Sequence, residues 1–106
     1  MLWPPVDTAA MAEDIAAMVA KDLDVTARAL AKVKVAVPER SHFRKAAEDF
    51  LTMAKAYYED AKYFRDRGEI EKALAVVYYA HAWLDAGARL GFFDVGLDDK
   101  LFCLAE

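Results

Sequence analysis

The sequence predicts an all-α fold, a three-helix antiparallel bundle running up, down and up. Three observations carry that expectation. Four Gly and three Pro among 106 residues are too few for the many turns of a β fold. Apolar residues recur at three- and four-residue steps over long stretches, the spacing of one helix face. Pro38, Gly68 and Gly91 then punctuate the chain so that three helical lengths result. A chain of this size is expected to fold as a single helical-bundle domain over 1–106.

The first helix is expected to open at Asp7 or Thr8, whose side-chain oxygens can cap free amides just after Pro4-Pro5. Its inward stripe runs Met11, Ile15, Val19, Leu23, Leu30 and Val33, with Thr26 at the intervening core position. Val35-Ala36-Val37-Pro38 ends it, because the residue before a proline is steered out of the α region.

The second helix begins near Ser41, or a turn earlier with Pro38 as its first residue. Phe43, Phe50, Tyr57 and Phe64 lie seven apart, and Ala47, Ala54 and Ala61 fall between them. Small residues between large rings let a neighbouring helix approach closely and interlock with them. Gly68 supplies a left-handed helix end. The link it makes is so short that the third helix, Glu69 to Leu90, must turn back as an αα-hairpin. Ile70, Ala73, Val77, Ala80, Leu84 and Gly87 or Ala88 form its inward stripe, widened by Leu74, Tyr78 and Trp83.

Beyond Gly91, Phe92-Phe93-Asp94-Val95-Gly96-Leu97 and Leu101-Phe102-Cys103-Leu104 are too apolar to stay in water. Burying each large side chain is worth roughly 1.5–3 kcal/mol, so the tail is expected to fold back on the bundle. An up-down-up course puts it beside the first interhelical turn. Between Val25 and Ala47 that region carries Arg28, Lys32, Lys34, Arg40, Arg44 and Lys45 against Glu39 alone, whereas the tail carries Asp94, Asp98, Asp99 and Glu106 against Lys100. Mutual neutralisation is one reading of the basic cluster. An anion or nucleic-acid patch at Arg40, Arg44 and Lys45 is the other.

A net charge of −4 opposes bulk binding to nucleic acid or anionic lipid. The charge-free run Ala73 to Leu84 is far short of the roughly 20 residues that cross a bilayer. The start has no basic segment followed by an apolar run and a small-residue cleavage site, so no secretory signal is expected. Cys103 is the lone cysteine, which points to a reducing, cytoplasmic compartment. No metal site and no cofactor are expected, since no glycine-rich phosphate loop or His and Cys ligand spacing occurs.

Chemistry-bearing residues gather on the hairpin. Tyr78, His81 and Asp85 share a face of the third helix, and Tyr57, Asp60 and Phe64 form a comparable line on the second. A carboxylate beside an imidazole can serve acid–base work or ligand binding. Without an evident nucleophile or oxyanion donor, Tyr57, Asp60, Tyr78, His81 and Asp85 read as a polar network or a ligand site at the seam of helices two and three, and no catalytic residue is assigned. His42, next to a helix cap, reads as a surface residue.

Ala61, Phe64, Gly68, Ala73, Val77 and Ala80 have the spacing of a tetratricopeptide hairpin, without a second copy. Arg40 and His42 stand too close together for the Arg and His pair of the RNA-cleaving HEPN helical domains. A closer likeness lies in Tyr57-Tyr58-Glu59-Asp60-Ala61-Lys62-Tyr63-Phe64 through Gly68, and in Ala73-Leu74 to Tyr79-Ala80-His81-Ala82-Trp83-Leu84-Asp85-Ala86-Gly87 with Leu90-Gly91. These stretches resemble a family of small archaeal proteins known as domain of unknown function 357. The resemblance implies a three-helix bundle like the spectrin and albumin-binding folds and an archaeal origin, and implies no activity.

The expected function is that of a non-enzymatic protein–protein interaction module that self-associates as a homodimer. The ring content around the hairpin exceeds what one core stripe requires, and exposed Tyr and Trp favour protein contacts. The alternatives are a small-molecule, metal or nucleotide binder at the helix two and helix three seam, and an RNA-associated partner protein using the basic turn.

Overall fold

The structure, a computed structural model, describes residues 8–96, 101 and 102. Asp7, Leu97, Asp98, Asp99, Lys100, Cys103, Leu104 and Glu106, which entered the expectations above, lie outside the described residues. Among the described residues three helices dominate: α1 (Thr8–Lys32), α2 (Arg44–Asp66) and α3 (Ile70–Arg89). The N-terminal part of α1, at Ala12 and Ile15, lies against the α2–α3 turn at Gly68 and Ile70. Its C-terminal end meets the chain leaving α3. α1 and α3 therefore run parallel and α2 runs against both, the up-down-up bundle that the periodicity predicts.

α1 buries Val19, Leu23, Thr26 and Ala29, one turn apart, while Met11 and Met18 face solvent. The core stripe is thus shorter at its N-terminal end than the apolar spacing suggests. The helix also ends at Lys32, before the expected stop at Val35-Pro38. A strand pair takes over: β1 (Lys34–Val35) runs antiparallel to β2 (Phe93–Asp94), with Lys34 opposite Asp94 and Val35 opposite Phe93. The Ala36 amide adds a 2.8 Å bond to the Phe92 carbonyl. Two residues per strand are too few to show a period, so nothing in the sequence marks this clip.

α2 starts at Arg44, later than Ser41, because the turn before it is closed by its own bonds. The Ser41 amide donates to the Pro38 carbonyl at 2.9 Å, and the Ser41 hydroxyl accepts from the Phe43 amide at 3.1 Å. Ala47, Ala54 and Ala61 are fully buried where α3 approaches. Phe50, Tyr57 and Phe64 flank that line half-buried, and Phe43 is 62% exposed. Alanines, not rings, are the contact line of α2. At the hairpin, Gly68 adopts φ +80°, and the Glu69 amide reaches the Phe64 carbonyl at 2.9 Å, so the left-handed residue closes the helix. α3 buries Ala73, Val77, Ala80, Leu84 and Gly87.

Apolar side chains gather in two clusters. Near the hairpin turn Val19, Leu23, Ala61, Ala73 and Val77 pack together. At the other end Ala29, Ala47, Ala54 and Leu84 meet Phe92, Phe93, Val95, Leu101 and Phe102 from the segment after α3. These described residues of the tail do fold back, and they supply the large side chains that this end of a bundle built on alanine lacks. Gly87 admits it: a Cβ at that position would overlap the Phe93 ring. None of the described helices is long and apolar enough to cross a membrane.

Candidate functional site

Thr26 is the one polar residue among the buried side chains described. A core hydroxyl needs a partner, and the parallel neighbour α3 presents one turn after another at the same height. The Thr26 hydroxyl lies 3.0 Å from Nδ1 of His81, and Nε2 of that ring lies 2.6 Å from the carbonyl oxygen of Leu101. A carbonyl can only accept, so Nε2 carries a proton; in the neutral ring Nδ1 then accepts from Thr26. Asp85, one turn on, approaches Nε2 at 3.5 Å and is itself partnered. One imidazole therefore ties α1, α3 and the returning tail together, and Phe102 lies beside it with ring centroids 6.4 Å apart.

Beside this staple a cavity of about 220 Å³ opens between α1 and α3. Asp22, Val25 and Thr26 line it from α1; Tyr78, His81, Ala82 and Asp85 line it from α3. Asp22 faces the Tyr78 phenol and raises its pKa above the usual 10.0, first through hydrogen bonding to the carboxylate, then through burial, then through its negative charge.

Of the residues singled out from the sequence, Tyr78, His81 and Asp85 meet here. Tyr57 and Asp60 do not. Tyr57 stacks edge-on against Tyr79 at 4.5 Å, and Asp60 is exposed on α2. The cavity accordingly belongs to the α1/α3 groove, which corrects the expected seam of α2 and α3. The reason is angular: on α3, positions 78, 81 and 85 lie toward α1, 79, 83 and 86 lie toward α2, and Ala82 stands between them on the rim of both hollows. Sequence reasoning missed Asp22, Val25 and Thr26 as lining residues. The legible signal was a threonine in an apolar stripe, with a carboxylate four residues before it.

The anion patch separates in the same way. Arg44 holds Glu48 at 2.8 Å and donates through Nη1 to the Val37 carbonyl at 2.9 Å, so it builds the turn. Arg40 and Lys45 are exposed. Among the described residues no cluster of three or more His, Cys, Asp or Glu side chains is placed to hold a metal ion.

On the opposite side of α3, six rings follow one another along the α2/α3 groove. Centroids are 6.2 Å apart from Phe43 to Phe92, 5.1 Å from Phe92 to Phe50, and 5.0 Å from Phe50 to Trp83. The run continues at 6.1 Å to Tyr79 and 4.5 Å to Tyr57. Most of these pairs meet edge to face, the arrangement ring quadrupoles favour. A shallow hollow of about 230 Å³ lies on this seam, lined by Phe50, Tyr79, Ala82, Trp83 and Ala86.

Compared with known proteins, residues 21–93 match the model of a family described as Protein of unknown function (DUF357). No curated protein and no solved structure matches the chain. The matched stretch runs from the α1 residues that line the cavity to the first residue of β2, taking in the hairpin and the aromatic seam, and the chain belongs to this family.

Proposed function

We propose that this chain is a non-enzymatic interaction module that pairs with a second copy of itself through the aromatic seam of α2 and α3. The observation that carries this reading is the hollow of Phe50, Tyr79, Ala82, Trp83 and Ala86. Its lining bears no formal charge, so two copies facing each other meet no like-charge repulsion. The same patch offers both halves of a two-fold contact, the 47% exposed ring of Tyr79 and the alanine-floored hollow beside it.

A cytoplasmic location and the archaeal origin implied by the family likeness belong to this proposal.

Sedimentation equilibrium tests it. The expected result is a dimer at roughly 100 μM protein, broken to monomer by Ala86→Glu with helicity by circular dichroism unchanged. A monomer at that concentration, or a dimer indifferent to Ala86→Glu, overturns the reading.

A further inference from the structure

We infer that the groove between the N-terminal half of α1 and α3 docks a basic amphipathic helix of a partner protein. This goes beyond the self-association reading and uses the other side of α3, so either can fail alone. Helical spacing lays the groove out. On α1, Met11, Met18, Asp22 and Val25 follow at steps of seven, four and three residues and share one face. On α3, Glu71, Ala75, Tyr78 and Ala82 do the same at steps of four, three and four. Two hollows fix where these faces meet: Met11 lies beside Glu71 at one end, and Asp22 and Val25 lie beside Tyr78 and Ala82 at the other. Between Met11 and Val25 the helix rises about 21 Å, roughly four turns, the span of a partner helix of about 14 residues.

The walls of the groove are apolar and open to solvent. Met11 is 51% exposed, Met18 42% and Tyr78 49%. Unbranched methionine side chains adapt to the ridges of an incoming helix, and an apolar helix face laid in such a groove is a recurrent mode of recognition. Charge selects the occupant. Glu13, Asp14, Asp22 and Glu71 take part in no ion pair among the described residues. Over 8–25 and 70–82 the bases are Lys21 and Lys72, and Lys72 is held by Glu69. A second copy seated here would set these carboxylates against their own kind, whereas Lys and Arg on the polar flanks of a partner helix meet opposite charge.

The test is a titration of the full chain with a synthetic amphipathic helix of about 14 Leu and Lys residues, read by amide NMR shifts at physiological ionic strength. One control peptide carries Glu in place of Lys; another permutes the Leu/Lys sequence so that no apolar face forms. The expected result is saturable shifts at Met11, Met18, Ala75 and Tyr78 with the amphipathic Leu/Lys peptide alone. Replacing both methionines, Met11→Ala with Met18→Ala, keeps helix propensity and should weaken binding about tenfold. Glu71→Lys should weaken it by a similar factor, and Ala86→Glu on the opposite flank should leave it unchanged. No saturable shifts, equal affinity for either control peptide, or undiminished binding by the methionine variant overturns the inference. So do shifts at these same residues when the free chain alone is concentrated, since the groove would then belong to a second copy.

Discussion

Thr26 and His81, 55 residues apart in the chain, share a 3.0 Å hydrogen bond that joins α1 to α3 inside the bundle. Because the other ring nitrogen reaches Leu101, the same imidazole also fastens the returning tail. Removing the hydroxyl therefore strands a nitrogen at a semi-buried site.

Thr26→Val keeps the shape of the side chain and deletes the hydroxyl. The expected loss is about 1–3 kcal/mol of unfolding free energy, the cost of an unsatisfied buried polar group. Thr26→Ser, which retains the oxygen, should recover part of it. Urea unfolding reads both, and a Thr26→Val protein as stable as the parent would refute the staple.

Gly87→Ala should destabilise by about 1–3 kcal/mol, since the added Cβ overlaps the Phe93 ring and β2 must shift away from Val35. In a Phe93→Ala background the sign should reverse. With the ring gone, Ala outranks Gly in a helix interior by about 1 kcal/mol. A double-mutant cycle by chemical denaturation detects the reversal, and equal effects in both backgrounds would contradict it.

Phe102 is 3% exposed within the tail-side cluster. Phe102→Ala should cost about 3–5 kcal/mol, the range for a buried ring in a core. A loss below about 1 kcal/mol would mean that the tail contributes little to folding.

Alkaline pH should loosen the cavity mouth. Tyr78 binds its proton more tightly in the folded chain than at its usual pKa of 10.0, chiefly through the hydrogen bond to Asp22. Its contribution is therefore complete below pH 10.0 and fades as pH rises through the higher folded value. Asp22→Asn removes the charge, so one of the five tyrosines should ionise earlier in a tyrosinate absorbance titration. An unmoved curve would separate Tyr78 from Asp22.

Local rules made much of this molecule legible in advance. The line Ala73, Val77, Ala80 and Leu84 repeats at helical spacing and is buried as its period requires. Gly68 stands where a left-handed residue closes α2, and Phe92, Phe93, Val95, Leu101 and Phe102 of the tail are buried as their hydrophobicity demands. Which half of a helix's flank faces which neighbour is a different question. Tyr78 and Tyr79 are adjacent and chemically alike, yet one borders the α1 cavity and the other the α2 seam, because each residue turns 100° about the axis.

The amino-acid sequence by itself determined three helices, their order, the hairpin and the burial of the tail, since each follows from spacing, turn chemistry or hydrophobicity within a short stretch. Only the tertiary structure decided that His81 pairs with Thr26 and Leu101 instead of Asp60, that Lys34-Val35 meets Phe93-Asp94, and that the cavity opens toward α1. Those contacts join residues far apart in the chain through the rotation and offset of whole helices, which the packing of all three sets together.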